Sequence, residues 1–140
     1  MNAYFDASVL VALFAVDTFT SRARAVLKLP NLIAMVSAFA ATEFASVLAR
    51  RVRTGALTAG EAHLAFANFD GWTARAAQRL EIFPGDLVFA ETYLRRLDLN
   101  LRAPDAIHIA IAQRVGATLV TFDDKMAAAA KMLGTPVAMT

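Results

Sequence analysis

The chain reads as a three-layer α/β fold: a mostly parallel sheet of four to five short strands with helices on both faces. Three observations predict it. Short apolar runs alternate with longer segments of helical periodicity, as in successive βα units. The apolar runs are too uniformly greasy for a half-exposed antiparallel sheet, so both sheet faces must be covered. The 140 residues contain no long Gly/Ser/Pro linker and no internal repeat, so they make a single domain, 1–140, with enough surface to bury a core.

Ala3 to Phe5 predicts a first strand, and the run from Ser8 to about Val16 a helix. Thr20 or Ser21 can cap a short helix that reaches about Leu29, where Pro30 stops it. Leu32 to Val36 forms a second strand, and Ser37 caps a long helix that ends near Arg53 before Gly55. Thr58-Ala59-Gly60-Glu61 has capping-box spacing and opens a helix running to about Arg79, which Asp70-Gly71 either bends or splits.

Glu81 to Phe83 predicts a short edge strand closed by Pro84-Gly85, with Asp86 capping a helix that carries Val88 to Leu99. Pro104 suits the first turn of a helix that runs to Val115 and stops at Gly116. Ala117 to Phe122 is β-branched within an apolar run and predicts a strand. Asp123 caps the helix that follows, Gly134 ends it, and Pro136 to Met139 forms a last edge strand.

Composition narrows the chemistry. There is no cysteine, which excludes disulfides and thiolate zinc sites and suits a reducing cytoplasm. The N-terminus lacks a basic leader, and Asp6 breaks its apolar stretch, against a signal peptide. No stretch reaches the roughly 20 apolar residues of a membrane helix. The hydrophobic content of 58% is high and points to a face buried against a second copy or another chain. The net charge of +2 is small, but Arg50, Arg51 and Arg53 cluster, as do Arg95, Arg96 and Arg102.

Four acids stand in settings that need explaining. Asp6 ends the first strand, and Asp123 ends the strand before the last helix. Either alone is an ordinary N-cap; together they sit at the same rim, where ligand crevices of parallel sheets lie. Glu43 lies inside a helix, where capping cannot account for it, and shares one side with Ser46, Arg50 and Arg53. That stripe is either a solvated face with weak ion pairs or a site end with Arg50 and Arg53 reaching a nucleic-acid backbone.

Asp105 opens an almost wholly apolar helix, so it too belongs near the sheet rim. His108, one turn on, reads as a core histidine with a hydrogen-bonded nitrogen, and His63 as a surface residue. Ser8 and Thr121 place hydroxyls beside Asp6 and Asp123, where they could orient a carboxylate or hold a metal-bound water.

Two like charges about 4 Å apart repel by roughly 4 kcal/mol at an effective dielectric near 20. Four carboxylates in one crevice therefore call for a cation. Oxygen-only ligands suit Mg²⁺ or Mn²⁺, which polarises a phosphoryl oxygen and activates a water for in-line attack. No serine or cysteine nucleophile partnered with a histidine is evident, which favours direct attack by water.

The ordered set Phe5-Asp6-Ala7-Ser8, Glu43, Arg102-Ala103-Pro104-Asp105-Ala106-Ile107-His108, and Leu119-Val120-Thr121-Phe122-Asp123 resembles the PIN domain, most closely the VapC-type toxins of toxin–antitoxin pairs. The resemblance covers essentially the whole chain. It implies a Rossmann-like sheet, a Mg²⁺- or Mn²⁺-dependent endoribonuclease acting on RNA, a homodimer, and silencing by a cognate antitoxin. It assigns Asp6, Glu43, Asp105 and Asp123 to the catalytic and metal site, with Ser8 and Thr121 as supporting hydroxyls. The Thr-x-Asp register selects Asp123, although Asp124 stands next to it.

Two other readings follow from the same residues. One is a module of this fold without turnover, whose acids receive a basic partner peptide. The other is a phosphoacceptor receiver domain, which would want an acid pair directly after the first strand, where Asp6 stands alone.

Overall fold

The computed structural model describes residues 1–138. It contains β1 (Asn2–Phe5), α1 (Ala7–Phe14), α2 (Thr20–Leu27), β2 (Ile33–Ser37), α3 (Ala38–Arg53) and α4 (Ala59–Ala76). The chain continues through β3 (Ala77–Leu80), α5 (Pro84–Leu94), α6 (Ala103–Arg114), β4 (Thr118–Val120), α7 (Asp124–Met132) and β5 (Val137–Ala138). The five strands form one sheet in the order β3-β2-β1-β4-β5. Every pairing is parallel, with Tyr4 beside Met35 on one side and Leu119 on the other.

The alternation along β1 shows why both faces had to be apolar. Ala3 and Phe5 point to one side, into a core with Val9, Phe44, Leu48 and Phe69 from α1, α3 and α4. Tyr4 points to the other, into a core with Ile109, Ile111, Met126 and Ala130 from α6 and α7. A strand with period-two side chains can satisfy both layers only if every residue tolerates burial. Ala3, Tyr4 and Phe5 have no exposed surface.

Caps fall largely where the side-chain chemistry places them. Ser37 accepts from the Ala40 amide at 2.9 Å, and Thr58 and Glu61 exchange reciprocal bonds at 3.0 and 2.9 Å. Asp86, expected as the cap, sits inside the first turn of α5, three residues beyond the N-cap Phe83. Its carboxylate reaches back to the Phe83 amide at 2.9 Å and also binds the Arg114 guanidinium at 2.7 and 3.1 Å.

Several boundaries differ from expectation. The third strand is Ala77–Leu80, not Glu81 to Phe83, and α4 ends at Ala76 rather than near Arg79. The segment Ala-Gln-Arg-Leu has good helix formers and a polar edge, so its composition favours continuing the helix. The open edge of β2 wins instead, pairing Ala34 with Ala77 through Ser37 with Leu80.

Asp70-Gly71 does not split α4, which is continuous. Helix α5 stops at Leu94, and Leu97 and Asn100 adopt positive φ of 68° and 52° in the turns beyond it. Strand β4 is shorter than the apolar run: Thr121 and Phe122 leave the sheet and lead into the crevice. The last strand is Val137–Ala138, and the Met139 part of that expectation lies outside the described residues. No helix among the described residues is long and apolar enough to cross a membrane.

Candidate active site

The sheet's direction reverses at β1: the chain moves outward to β2 and β3, then returns to the other side of β1 as β4. The carboxyl ends of β1 and β4 diverge at such a switch, which opens a crevice between the helices that follow them. A cleft of about 380 Å³ lies there, and its lining includes Ser8, Glu43, Asp105, His108 and Asp123. Asp6 lies beneath this surface, only 2% exposed, where its amide still bonds to the Val120 carbonyl at 3.3 Å. Four separate segments thus bring their acids to this crevice, Glu43, Asp105 and Asp123 on its lining and Asp6 beneath it.

Asp6 is the most tightly held of them. Its carboxylate accepts from Ser8 Oγ at 2.6 Å, Thr121 Oγ1 at 2.5 Å and the Val9 amide at 3.2 Å. It caps α1 and anchors the site with the same oxygens. Thr121 in turn accepts from the Asp123 amide at 2.9 Å, and Ser8 accepts from the Phe122 amide at 3.1 Å. The two hydroxyls therefore stitch the end of β1 to the end of β4. Burial raises the Asp6 carboxyl above the ordinary Asp value of 3.8, opposed by the His108 ring, by both hydroxyls and by the Val9 amide.

Asp105 and Asp123 each spend one oxygen on a helix start. Asp105 Oδ2 accepts from the Arg102 amide at 3.1 Å, and Asp123 Oδ1 from the Met126 amide at 3.0 Å. Asp124 is exposed at the first position of α7 and does not line the cleft. Glu43 is held differently. Its Oε1 bonds to Nε2 of His108, whose Nδ1 lies 2.7 Å from the Tyr4 hydroxyl. Tyr4 also bonds to Ser37 Oγ at 2.7 Å. Burial pushes the Tyr4 hydroxyl far above its ordinary pKa, so it stays protonated as a member of this chain.

His108 is the buried, hydrogen-bonded histidine the sequence suggests, but both its nitrogens are used, and one reaches Glu43. Position alone could not reveal that link. The basic residues also differ from expectation. Arg51 and Arg102 line the cleft, whereas Arg50 and Arg53 are exposed on α3 and do not.

Helical geometry explains the difference. From Glu43, steps of four residues through Val47 to Arg51 drift about 40° each toward the buried stripe of Ala40, Phe44 and Leu48. Steps of three through Ser46 drift about 60° the other way. The i, i+4 row was the signal to follow.

The donor set is chemically that of a hard cation: carboxylates and hydroxyls, with no thiolate, and a buried Asp6 that no lysine or arginine pairs with among the described residues. No three His, Asp or Glu side chains among the described residues converge to hold an ion as they stand. The residues fit an oxygen-ligated cation in kind and in location, without forming a finished cage.

The PIN domain family model matches residues 3–132. The chain is a member of the PIN domain family. The match spans all four acids and both hydroxyls, so this PIN domain carries its site across nearly the whole sequence. Among solved structures, it is similar to VapC20 of Mycobacterium tuberculosis, a sarcin–ricin loop cleaving toxin. The identity is 21%, over 91% of this chain and 94% of that one, at a TM-score of 0.71.

It is also similar to VapBC2 of Rickettsia felis, solved bound to a DNA fragment from its promoter, at 13% identity over 99% and 98% and a TM-score of 0.70. VapBC-1 of nontypeable Haemophilus influenzae matches at 15% identity over 99% and 97%, with a TM-score of 0.65. At these identities the likeness establishes the fold. Sequence comparison with curated proteins found no match.

Proposed function

We propose that this PIN domain is a metal-dependent endoribonuclease of the VapC toxin type, held inactive by a cognate antitoxin. The observation that carries this reading is the gathering of Asp6, Glu43, Asp105 and Asp123 at the β1/β4 crevice, with two arginines on the same cleft. The similar solved structures supply the biological context: one is a toxin that cleaves the sarcin–ricin loop, and others are toxin–antitoxin complexes. The cytoplasm, with neither disulfides nor a membrane anchor required, is the matching compartment, and a homodimer the matching assembly.

Mg²⁺ or Mn²⁺ would be held by Asp6, Glu43, Asp105 and Asp123, and such an ion supplies a polarised phosphoryl oxygen and a water of lowered pKa. The protein's own part is positioning. Ser8 and Thr121 fix both oxygens of Asp6, so its carboxylate keeps one orientation. His108, braced by Tyr4, fixes Glu43. Arg51 offers guanidinium donors for RNA phosphates, as does the largely exposed Arg102, whose Nε lies 3.7 Å from Asp105 Oδ2. Val11, Phe19, Phe122 and Met126 form apolar wall, lowering the local dielectric around the acids.

The test is cleavage of RNA by purified protein with Mg²⁺, with Mn²⁺ and with EDTA. Cutting that stops on chelation, and that Asp6→Asn, Glu43→Gln or Asp105→Asn abolishes while the protein stays folded, supports the reading. Full activity in Asp6→Asn refutes the mechanism. Binding of a basic peptide with no cutting under any condition would instead identify a partner-binding module.

A further inference from the structure

One wall of the cleft is aromatic in a way the acid chemistry does not require. Phe19 and Phe122 both line it, their ring centroids 4.8 Å apart and their planes 20° from parallel. Phe19 remains 37% exposed, although a phenyl ring gains by leaving water. Arg22 places its guanidinium carbon 5.4 Å from the Phe19 centroid and 5.1 Å from that of Phe122. This is the combination of stacked rings and guanidinium that single-stranded nucleic acids use.

The pair is rigid and in register with the acids. Phe19 stands at the start of α2 in a turn closed from both sides. Asp17 Oδ1 accepts from the Phe19 amide at 2.7 Å, and Thr20 Oγ1 accepts from the Asp17 amide at 2.8 Å while donating to the Ala12 carbonyl at 2.6 Å. Phe122 lies between Thr121, which binds Asp6, and Asp123, and its own amide donates to Ser8. The ring is therefore one residue from two members of the acidic site on either side. Its position relative to the carboxylates is set by the bonds that set theirs.

We propose that Phe19 and Phe122 form a stacking platform for one unpaired nucleobase of the RNA, next to the phosphate held by the acids. The proposal rests on the ribonuclease reading and adds a substrate class to it: strands whose base can leave its stack, as in a loop or single-stranded stretch. A nucleobase is the occupant that the stacked rings and the adjoining guanidinium suit, because every base offers a π face of matching shape.

The experiment first maps the ends that the wild-type protein produces in total RNA. It then follows cleavage of a labelled 12-nucleotide RNA spanning one cut, and of copies carrying a single abasic nucleotide at each position in turn. Phe19→Leu keeps an apolar side chain without a π face, and Phe19→Trp keeps one; thermal unfolding checks that both are folded. The platform predicts that Phe19→Leu lowers kcat/KM about 5- to 150-fold and that Phe19→Trp restores most of it. One abasic position should slow the wild type by a similar factor and leave Phe19→Leu no slower than on intact RNA.

Phe19→Leu within twofold of wild type overturns the platform and leaves the ribonuclease standing, as does an equal further loss on every abasic RNA. No metal-dependent cutting of total RNA by the wild type overturns both.

Discussion

Tyr4→Phe removes one oxygen from the interior and tests whether Glu43 is held from within the core. The ring is wholly buried and a phenyl fills the same space, so the packing contribution of Tyr4 is unchanged. What is lost is the hydroxyl between Ser37 and His108. Ser37 keeps a partner, because it still accepts from the Ala40 amide. His108 does not: its Nδ1 is left buried and unbonded, at a cost of about 1–3 kcal/mol.

For a domain of this size, that lowers Tm by roughly 4–12 °C. The second consequence is local. Without Tyr4 on its far side, His108 no longer has a fixed orientation to hold Glu43, and misplacing a site carboxylate by about 1 Å can slow a reaction up to about 100-fold. Circular dichroism melts read the first effect. RNA cleavage at 25 °C, well below the melting transition, reads the second, with kcat expected to fall at least about tenfold. An unchanged Tm refutes the buried chain of bonds; a lowered Tm with full kcat refutes its transmission to Glu43.

The raised Asp6 carboxyl has a defined pH signature in EDTA. Between 3.8 and its higher folded value, the folded state holds more protons than the unfolded one, so this residue's contribution to stability falls as pH rises through that window. Asp6→Asn lacks the effect, so denaturant titrations should show its stability relative to wild type improving with pH across the window while cleavage is absent; a flat difference contradicts the burial argument. Asp86→Ala should cost about 3 kcal/mol by urea unfolding, near the lower end for a broken buried pair because Arg114 stays partly in water, with cleavage unaffected because neither residue lines the cleft. Arg51→Ala and Arg102→Ala should each weaken RNA binding and shallow its dependence on log salt by about 0.7, measured by fluorescence anisotropy; an unchanged slope places the phosphates elsewhere.

Local signals in the sequence were enough for the layer architecture and for the four acids. Asp6 and Asp123 each follow an apolar strand, and that coincidence marks a sheet rim before any coordinates exist. Asp105 opens an apolar helix, and Glu43 interrupts one where no cap is needed. Covalent neighbours decide such features; the structure sets Glu43, Asp105 and Asp123 on one cleft and Asp6 beneath it.

Other features depended on partners far along the chain. Whether Ala77–Leu80 continues a helix or joins a sheet turned on the unpaired edge of β2. Which arginines meet the cleft turned on which side of α3 packs against the core, favouring Arg51 over Arg50 and Arg53. The role of His108 depended on Tyr4 and Glu43, 104 and 65 positions away. Sequence pattern reports what a segment prefers with its neighbours, whereas hydrogen-bond partners of buried polar groups are assigned only when the layers close around them.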